Sequence, residues 1–484
     1  MLIESLQNPA LYDHPVKKFQ VLETHGAWIL LTGHFAYKIK KPVDFEFLDY
    51  STLEKRKMCC EEEIRLNRAL ASVLYEKLIP ITGTPDQPQL KGSGAVIEYA
   101  IQMKEFPQAH LFSYLVKNNQ LSPTLVDELA VIIARFHEKT SRTTANMIFG
   151  DPEHVQAPVQ QNFDQIRALI TDTHPLERLE NWAKNVYAKL RHIFERRKQQ
   201  GYIRECHGDL YLNNIILWND HPLVFDCIEF NESFRWTDTM ADLGFLAMDL
   251  EDNQRSDYAY RVINQYMETS GDYNGLSVLR FYQSYRAVVR AKIALFQSNP
   301  KEYQRYIDLA EQYTHDTKPQ LIITYGISGS GKSTRAKQLV ETLGAIQLRS
   351  DIERKRMLGL TANSQTHSPV NQGIYTEAIT DKTYLRLLDL AREVLQSGYS
   401  VVVDASFLQK KHRVLFSNLA AALNVSFCIQ ACYSPMDIAK KRISDRRFQQ
   451  EDPSEAYLDV LTMQEATQEP LTEEELSYAI NCEV

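Results

Sequence analysis

The octapeptide GISGSGKS, residues 326–333, limits what this chain can fold into more than any other stretch. It fits G-x-x-x-x-G-K-[ST] and stands between an apolar run, LIITYGI, and a helix-forming run, KSTRAKQLVETL. Glycines in such a loop let successive backbone N–H groups turn inward around a phosphate, and the helix N-terminus adds its positive end. A strand that hands over to a helix in this way needs a parallel sheet around it, so an α/β domain is expected here. The expected nucleotide contacts are Gly326, Ser328, Gly329, Ser330, Gly331, Lys332, Ser333 and Thr334. Lys332 would reach the β- and γ-phosphates, and the Ser333 hydroxyl would ligate Mg2+.

A chain of 484 residues is too long for one compact core, so two domains are expected. The break falls at 314–319, THDTKP, where the helical run KEYQRYIDLAEQY ends in polar residues and a proline. That gives one domain over 1–314 and another over 320–484. After the break, short apolar strands near 320–326, 345–349, 400–404 and 425–432 alternate with helical segments, the pattern of a parallel sheet. Before it come strand candidates VLETH, AWILLTG and FAYKIK, a charged helix over about 52–70, and VIEYAIQM. A long helical region follows, broken by one β segment around 203–230. A small β-rich lobe ahead of a larger helical lobe is the arrangement of kinase-like folds.

A net charge of −8 and a pI near 6.0 argue against a surface that grips nucleic acid throughout. Seven cysteines with no CxxC pair speak against a disulfide framework and for a reducing compartment. No apolar run approaches the ~18 residues of a membrane span. A soluble, cytoplasmic protein with no membrane partner is the expectation.

Residues downstream of the phosphate loop bear on chemistry. In RSDIERKRM, Asp351 stands where it could take a proton from an attacking hydroxyl, and Arg354 where it could hold an anionic acceptor or the transferring phosphoryl group. Ser350-Asp351 is also a good helix N-cap, which is the plainer alternative. The run SVVVDASF ends in Asp404, an acid at a strand terminus that suits the acceptor, a place behind the metal's own ligands, or a structural turn. In MDIAKKRISDRR, Arg442 and Arg446 lie on one helix face, as a closing arginine over a γ-phosphate would. Together these residues resemble small P-loop kinases of the polynucleotide-kinase type over about 320–466. The resemblance implies ATP as donor, Asp351 as general base, Arg354 as acceptor clamp and Arg446, or its neighbour Arg447, as lid arginine.

HGDLYLNN at 207–214 is a second signature. In H-x-D-x-x-x-x-N the acid, Asp209, orients the acceptor hydroxyl, and the amide, Asn214, ligates a metal. The strand PLVF leads into Asp226, where a second metal-binding carboxylate is expected. FAYKIK supplies Lys38 for the nucleotide phosphates, with Lys40 as fallback, and EKRKMCCEEEIRLNRAL supplies Glu63, with Glu62 as fallback. This half resembles aminoglycoside phosphotransferases and related small-molecule kinases over roughly 20–300. The whole chain is similar to bacterial bifunctional proteins that fuse such a domain to an ATP-binding domain. One departure stands out in RFYQSYRAVVRAKIAL, where Tyr282, Arg286 and Arg290 share a helix face with Lys292 nearby. A basic face suits an anionic acceptor held by Arg286 and Arg290; pairing with Asp242, Asp249 or Glu251 is the alternative.

The function expected is an ATP-dependent kinase with two Mg2+-nucleotide sites and an unidentified hydroxyl-bearing acceptor, anionic small molecules among the candidates. Alternatives are that one domain senses nucleotide and regulates the other, or that the P-loop domain phosphorylates nucleic-acid ends; the acidic balance disfavours the last.

Overall fold

The computed structural model describes every residue except 1, 46–47, 145, 363, 367–371, 450–457 and 484. The chain forms two compact units, Met1–Asn253 with Tyr285–Ile307, and Gln254–Ser284 with Asp308–Val484.

In the first unit, six strands form an antiparallel sheet in the order Gln20–Glu23, Ala27–Leu31, Phe35–Lys40, Val96–Lys104, Tyr75–Thr84, Gln87–Leu90. The last two in that order escaped the sequence reading, because Pro80, Gly83 and Pro88 punctuate them as loops are punctuated. The charged segment after Thr52 forms the helix Leu53–Ala71, whose first turn Thr52 caps by accepting from the Lys55 N–H. Cys60 and Ile64 of this helix pack on Leu31, Ala36, Ile101 and Met103 of the sheet. That packing turns Glu63 inward, toward the strand Phe35–Lys40. The rest of the unit is largely helical. It carries a two-stranded hairpin, Ile215–Trp218 with His221–Val224, closed by Asn219 and Asp220, both at positive φ as a tight hairpin turn requires.

The second unit holds a five-stranded parallel sheet in the order Ile346–Arg349, Val401–Asp404, Gln320–Tyr325, Ser426–Tyr433, Ala479–Glu483. Four of these strands coincide with the apolar runs of the sequence. The fifth, AINCE, is too short and too polar to stand out. The core is built by Ile322 and Val402 against Ala336 and Leu339 of the helix Lys332–Leu343.

Residues 254–284, which precede the expected break at 314–319, group with the second compact unit. Their helix, Ser256–Ser270, packs against the helix Lys332–Leu343 and the edge strand Ile346–Arg349. Arg261 pairs with Glu341, and Asn264 Oδ1 accepts from the Gln347 N–H at 2.7 Å. An edge strand leaves backbone groups unpaired, and this side chain satisfies one of them. Among the described residues no helix is long and apolar enough to cross a membrane.

Candidate functional site

In the first unit, the strand Phe35–Lys40 turns Lys38 and Lys40 to the same side, since side chains two apart share a face. Lys38 Nζ donates to Glu63 Oε1 at 2.7 Å and to Asp226 Oδ1 at 2.6 Å. Burial opposes the Lys38 charge, but the Asp226 and Glu63 carboxylates outweigh it and hold its ammonium above the usual lysine range. Asp226 is correspondingly held below the usual carboxylate range: burial pushes it up, and Lys38 more than reverses this. Asp226 sits at φ +66°, a conformation uncommon outside glycine and asparagine. Strained backbone of this sort gathers at functional positions. Lys40, the fallback lysine, is not an outsider. Its Nζ donates to the other Glu63 oxygen, Oε2, at 2.8 Å, and it also pairs with Glu229. Glu62 is engaged elsewhere, with Arg65 at 2.7 Å and Arg235 at 2.8 Å.

Asp209 and Asn214 come together as well: Asn214 Nδ2 donates to the Asp209 backbone oxygen at 2.9 Å and to Oδ2 at 3.0 Å. Burial raises the Asp209 pKa, against the opposing charges of His207, Arg286 and Arg290. The loop around it is held by two acids whose importance the sequence did not reveal. Asp242 accepts from the N–H groups of His207 at 2.7 Å and Gly208 at 2.9 Å, and Asp249 accepts from the Leu212 N–H at 2.8 Å. Gly208 sits at φ +85°, and a Cβ there would lie 2.9 Å from the Phe234 carbonyl oxygen. That is why this loop reads His-Gly-Asp.

Of the acids named as alternative partners for the arginines, Asp242, Asp249 and Glu251, the first two accept backbone N–H donors and also feel the charges of Arg286 and Arg290 respectively. Arg286 is 7% exposed and stacks over Phe245 at 4.9 Å. Its buried Nε has no hydrogen-bond partner among the described residues. Arg290 lies over the Tyr211 ring at 5.2 Å, and its Nε donates to Tyr306 Oη at 3.4 Å. Lys292 is spent on Asn162 and Gln165.

In the second unit, the phosphate loop leaves the strand Gln320–Tyr325 and enters the helix Lys332–Leu343. Gly326, Gly329 and Gly331 all have positive φ. A Cβ at Gly326 would meet the Cys432 carbonyl oxygen at 2.3 Å, and one at Gly329 the Ala439 oxygen at 2.7 Å. The loop therefore keeps a cradle only glycine can line. Ser330 Oγ is buried and has no hydrogen-bond partner among the described residues. Lys332 Nζ donates to the Ile327 oxygen at 2.7 Å, across the loop a phosphate would fill. Ser333 is partly exposed at the first helical turn, and Thr334 is exposed. These features fit the phosphates of a bound nucleotide. Gln464 Oε1 accepts from the Ser328 N–H at 2.8 Å, and Arg442 Nη1 donates to the Gly329 oxygen at 3.2 Å. Side chains at 446–449, which include Arg446 and Arg447, lie outside the described residues.

Strands Ile346–Arg349 and Val401–Asp404 pair Arg349 with Asp404. This brings Asp404, and Asp351 just past Arg349, to the same carboxy-terminal edge as the phosphate loop, where parallel α/β sheets bind ligands. Asp404 Oδ2 accepts from Gln347 Nε2 at 2.9 Å. Arg354 is 6% exposed, and its Nη1 donates to the Ile374 oxygen at 3.1 Å and Thr380 Oγ1 at 3.0 Å. Glu268, which nothing in the sequence singled out, faces Arg349 at 3.9 Å. Its carboxyl is pushed up by burial, with Arg349 opposing.

Residues 62–282 match the phosphotransferase enzyme family, and residues 321–471 match an AAA domain family. An uncharacterized protein of Mycobacterium tuberculosis is 29% identical over 445 residues, covering 90% of this chain and 88% of its own. Its Mycobacterium bovis counterpart matches to the same extent. Among solved structures, a choline/ethanolamine kinase family protein from Mesorhizobium loti is 11% identical with a TM-score of 0.43, covering 65% of this chain and 95% of that one. The GDP complex of aminoglycoside 2'-phosphotransferase-IIIa is 12% identical with a TM-score of 0.39, over 65% of this chain and 98% of that one. A gluconokinase from Sinorhizobium meliloti is 19% identical with a TM-score of 0.26, over 35% of this chain and 84% of that one.

Proposed function

We propose that this chain, which joins a phosphotransferase-family domain to an AAA-type P-loop domain, is an ATP-dependent kinase with two nucleotide sites, each acting on a hydroxyl acceptor. The observation that carries the reading is the convergence of Lys38, Glu63 and Asp226, with Asp209, bonded to Asn214, near enough to feel the Asp226 charge. These are the parts a phosphoryl transfer requires. Bound magnesium–ATP would supply the phosphoryl group and neutralise its developing charge. Lys38 would then hold the phosphates, Asn214 and Asp226 the metal, and Asp209 the acceptor's hydroxyl proton. In the second unit Lys332 and Ser333 would hold the nucleotide and Asp351 the acceptor hydroxyl, with Asp404 beside it. The Arg286 Nε, buried without a hydrogen-bond partner among the described residues on a guanidinium near Asp209, favours an acceptor that carries an anionic group at the first site. Arg290 extends the same basic face.

The test is a screen of hydroxyl-bearing anionic metabolites and nucleic-acid ends with γ-labelled ATP, run on the wild type, Asp209→Asn and Asp351→Asn. Each variant should lose label on one acceptor and keep it on the other. Wild-type protein that labels nothing, or an Asp209→Asn variant that labels everything, would sink the two-site reading. A second reading takes the P-loop unit as a nucleotide sensor. It is favoured by Arg354, the expected acceptor clamp, being buried against Ile374 and Thr380. Under it, Lys332→Ala alters transfer at the first site and Asp351→Asn alters nothing.

A further inference from the structure

The first unit contains one more lysine than its nucleotide chemistry needs. Lys40 is 1% exposed, so no phosphate reaches it without rearrangement. Around it lie Glu63 Oε2 at 2.8 Å, Tyr50 Oη at 3.2 Å, the Tyr50 ring at 4.7 Å, and Glu229 in direct contact. Tyr50 also donates to Glu229. The strand Phe35–Lys40 and residues 226–229 are therefore fastened by two rungs, Lys38 to Asp226 and Lys40 to Glu229. Glu63, fully buried, bridges the two lysines with one oxygen each.

The two rungs differ in what nucleotide would do to them. On the reading above, Lys38 must leave Asp226 for phosphate oxygens, and Asp226 must turn to the metal. With Lys38 drawn toward phosphate, a Glu63 that relied on it alone would become a poorly compensated buried charge, which is strongly unfavourable. Lys40 removes that obstacle, because it holds Glu63 Oε2 and Glu229 regardless of what Lys38 does. We propose that Lys40 is a positioning residue: with Glu229 and Tyr50 it keeps Glu63 fixed and neutralised, so that Lys38 and Asp226 are free to separate when nucleotide and metal enter. The inference rests on the assignment of the first unit as a nucleotide site.

Binding can be read without turnover, since all four tryptophans (28, 182, 218 and 236) lie in the first unit. Intrinsic fluorescence of the full chain, carrying Lys332→Ala to silence the P-loop, is titrated with ATP at several magnesium concentrations. Lys40→Met should weaken nucleotide affinity by about 10- to 100-fold, the range seen when an outer-shell partner is removed. It should also raise the magnesium needed for half-saturation, and Lys40→Arg should recover part of both. Unchanged affinity in Lys40→Met overturns the proposal. So does Lys40→Met abolishing binding while Lys38→Met leaves it intact, because Lys40 would then be the phosphate ligand itself. If Lys40→Met does not fold, Glu229→Gln and Tyr50→Phe test the same network from its outer side, and normal affinity and magnesium dependence in both overturn it. Absence of any nucleotide response in the parent protein would instead refute the site assignment, which separates the two failures.

Discussion

Replacing Asp242 with asparagine should loosen the loop that carries Asp209. The carboxylate is fully buried and accepts three hydrogen bonds, from the His207 N–H at 2.7 Å, the Gly208 N–H at 2.9 Å and His137 Nε2 at 3.3 Å. The two backbone donors approach different oxygens. An asparagine offers one oxygen and one NH2, so one backbone N–H must face another donor and lose its partner. Charge-assisted bonds of this kind contribute about 1.5–3 kcal/mol each, and the remaining bond weakens when the charge goes. The expected cost is about 3 kcal/mol, read from urea unfolding followed by tryptophan fluorescence, which reports the first unit alone. A displacement of Asp209 by even ~1 Å should lower transfer at that site by roughly 100-fold. The effect has a pH signature. Burial pushes the Asp242 carboxyl up, but the hydrogen bond and charge of His137, with His207 and Arg286, bring it below its usual value of 3.8. A depressed carboxyl contributes stability above its unfolded pKa, and that stability is lost as pH falls through the folded one. The gap between wild type and Asp242→Asn should thus be widest near neutrality and shrink below about pH 4. Equal stability of the two proteins at pH 7 would refute the reasoning.

Asp249 should behave in the opposite sense. Burial lifts its pKa to about 6, so its contribution is present below the unfolded value and lost as pH rises through about 6. Asp249→Asn keeps an oxygen for the Leu212 N–H and should gain on the wild type above pH 6 in the same urea assay. Gly208→Ala places a methyl 2.9 Å from the Phe234 oxygen at φ +85°; a loss of about 1–3 kcal/mol and a fall in first-site transfer are expected. In the second unit, Asn264→Ala strips the buried Gln347 N–H of its acceptor. That should cost about 1–3 kcal/mol, measured by the thermal transition of that unit, and weaken P-loop-site transfer because Gln347 also holds Asp404.

The features legible in the sequence are those whose geometry is local. A phosphate loop needs its glycines, lysine and serine within eight residues, because consecutive N–H groups make the cradle. The His-Gly-Asp loop is similarly self-contained, and Asn214 returns to Asp209 across five residues. Four strands of the parallel sheet announced themselves as apolar runs because both of their faces are buried.

Other features depend on residues far apart in the chain. Spacing alone leaves Lys38 and Lys40 as alternatives, whereas a pleated strand delivers both to Glu63, one to each oxygen. Asp242 and Asp249 look like ordinary helix acids until folding sets them under backbone donors at 207, 208 and 212. Arg354 carries the right charge at the right spacing, yet the Glu377–Gln396 helix and the turn before it claim its guanidinium. The phosphate loop itself identifies the second unit. Its edge strand, however, is capped by Asn264 of a helix 83 residues earlier in the chain, because an unpaired strand N–H must find an acceptor wherever the fold can supply one.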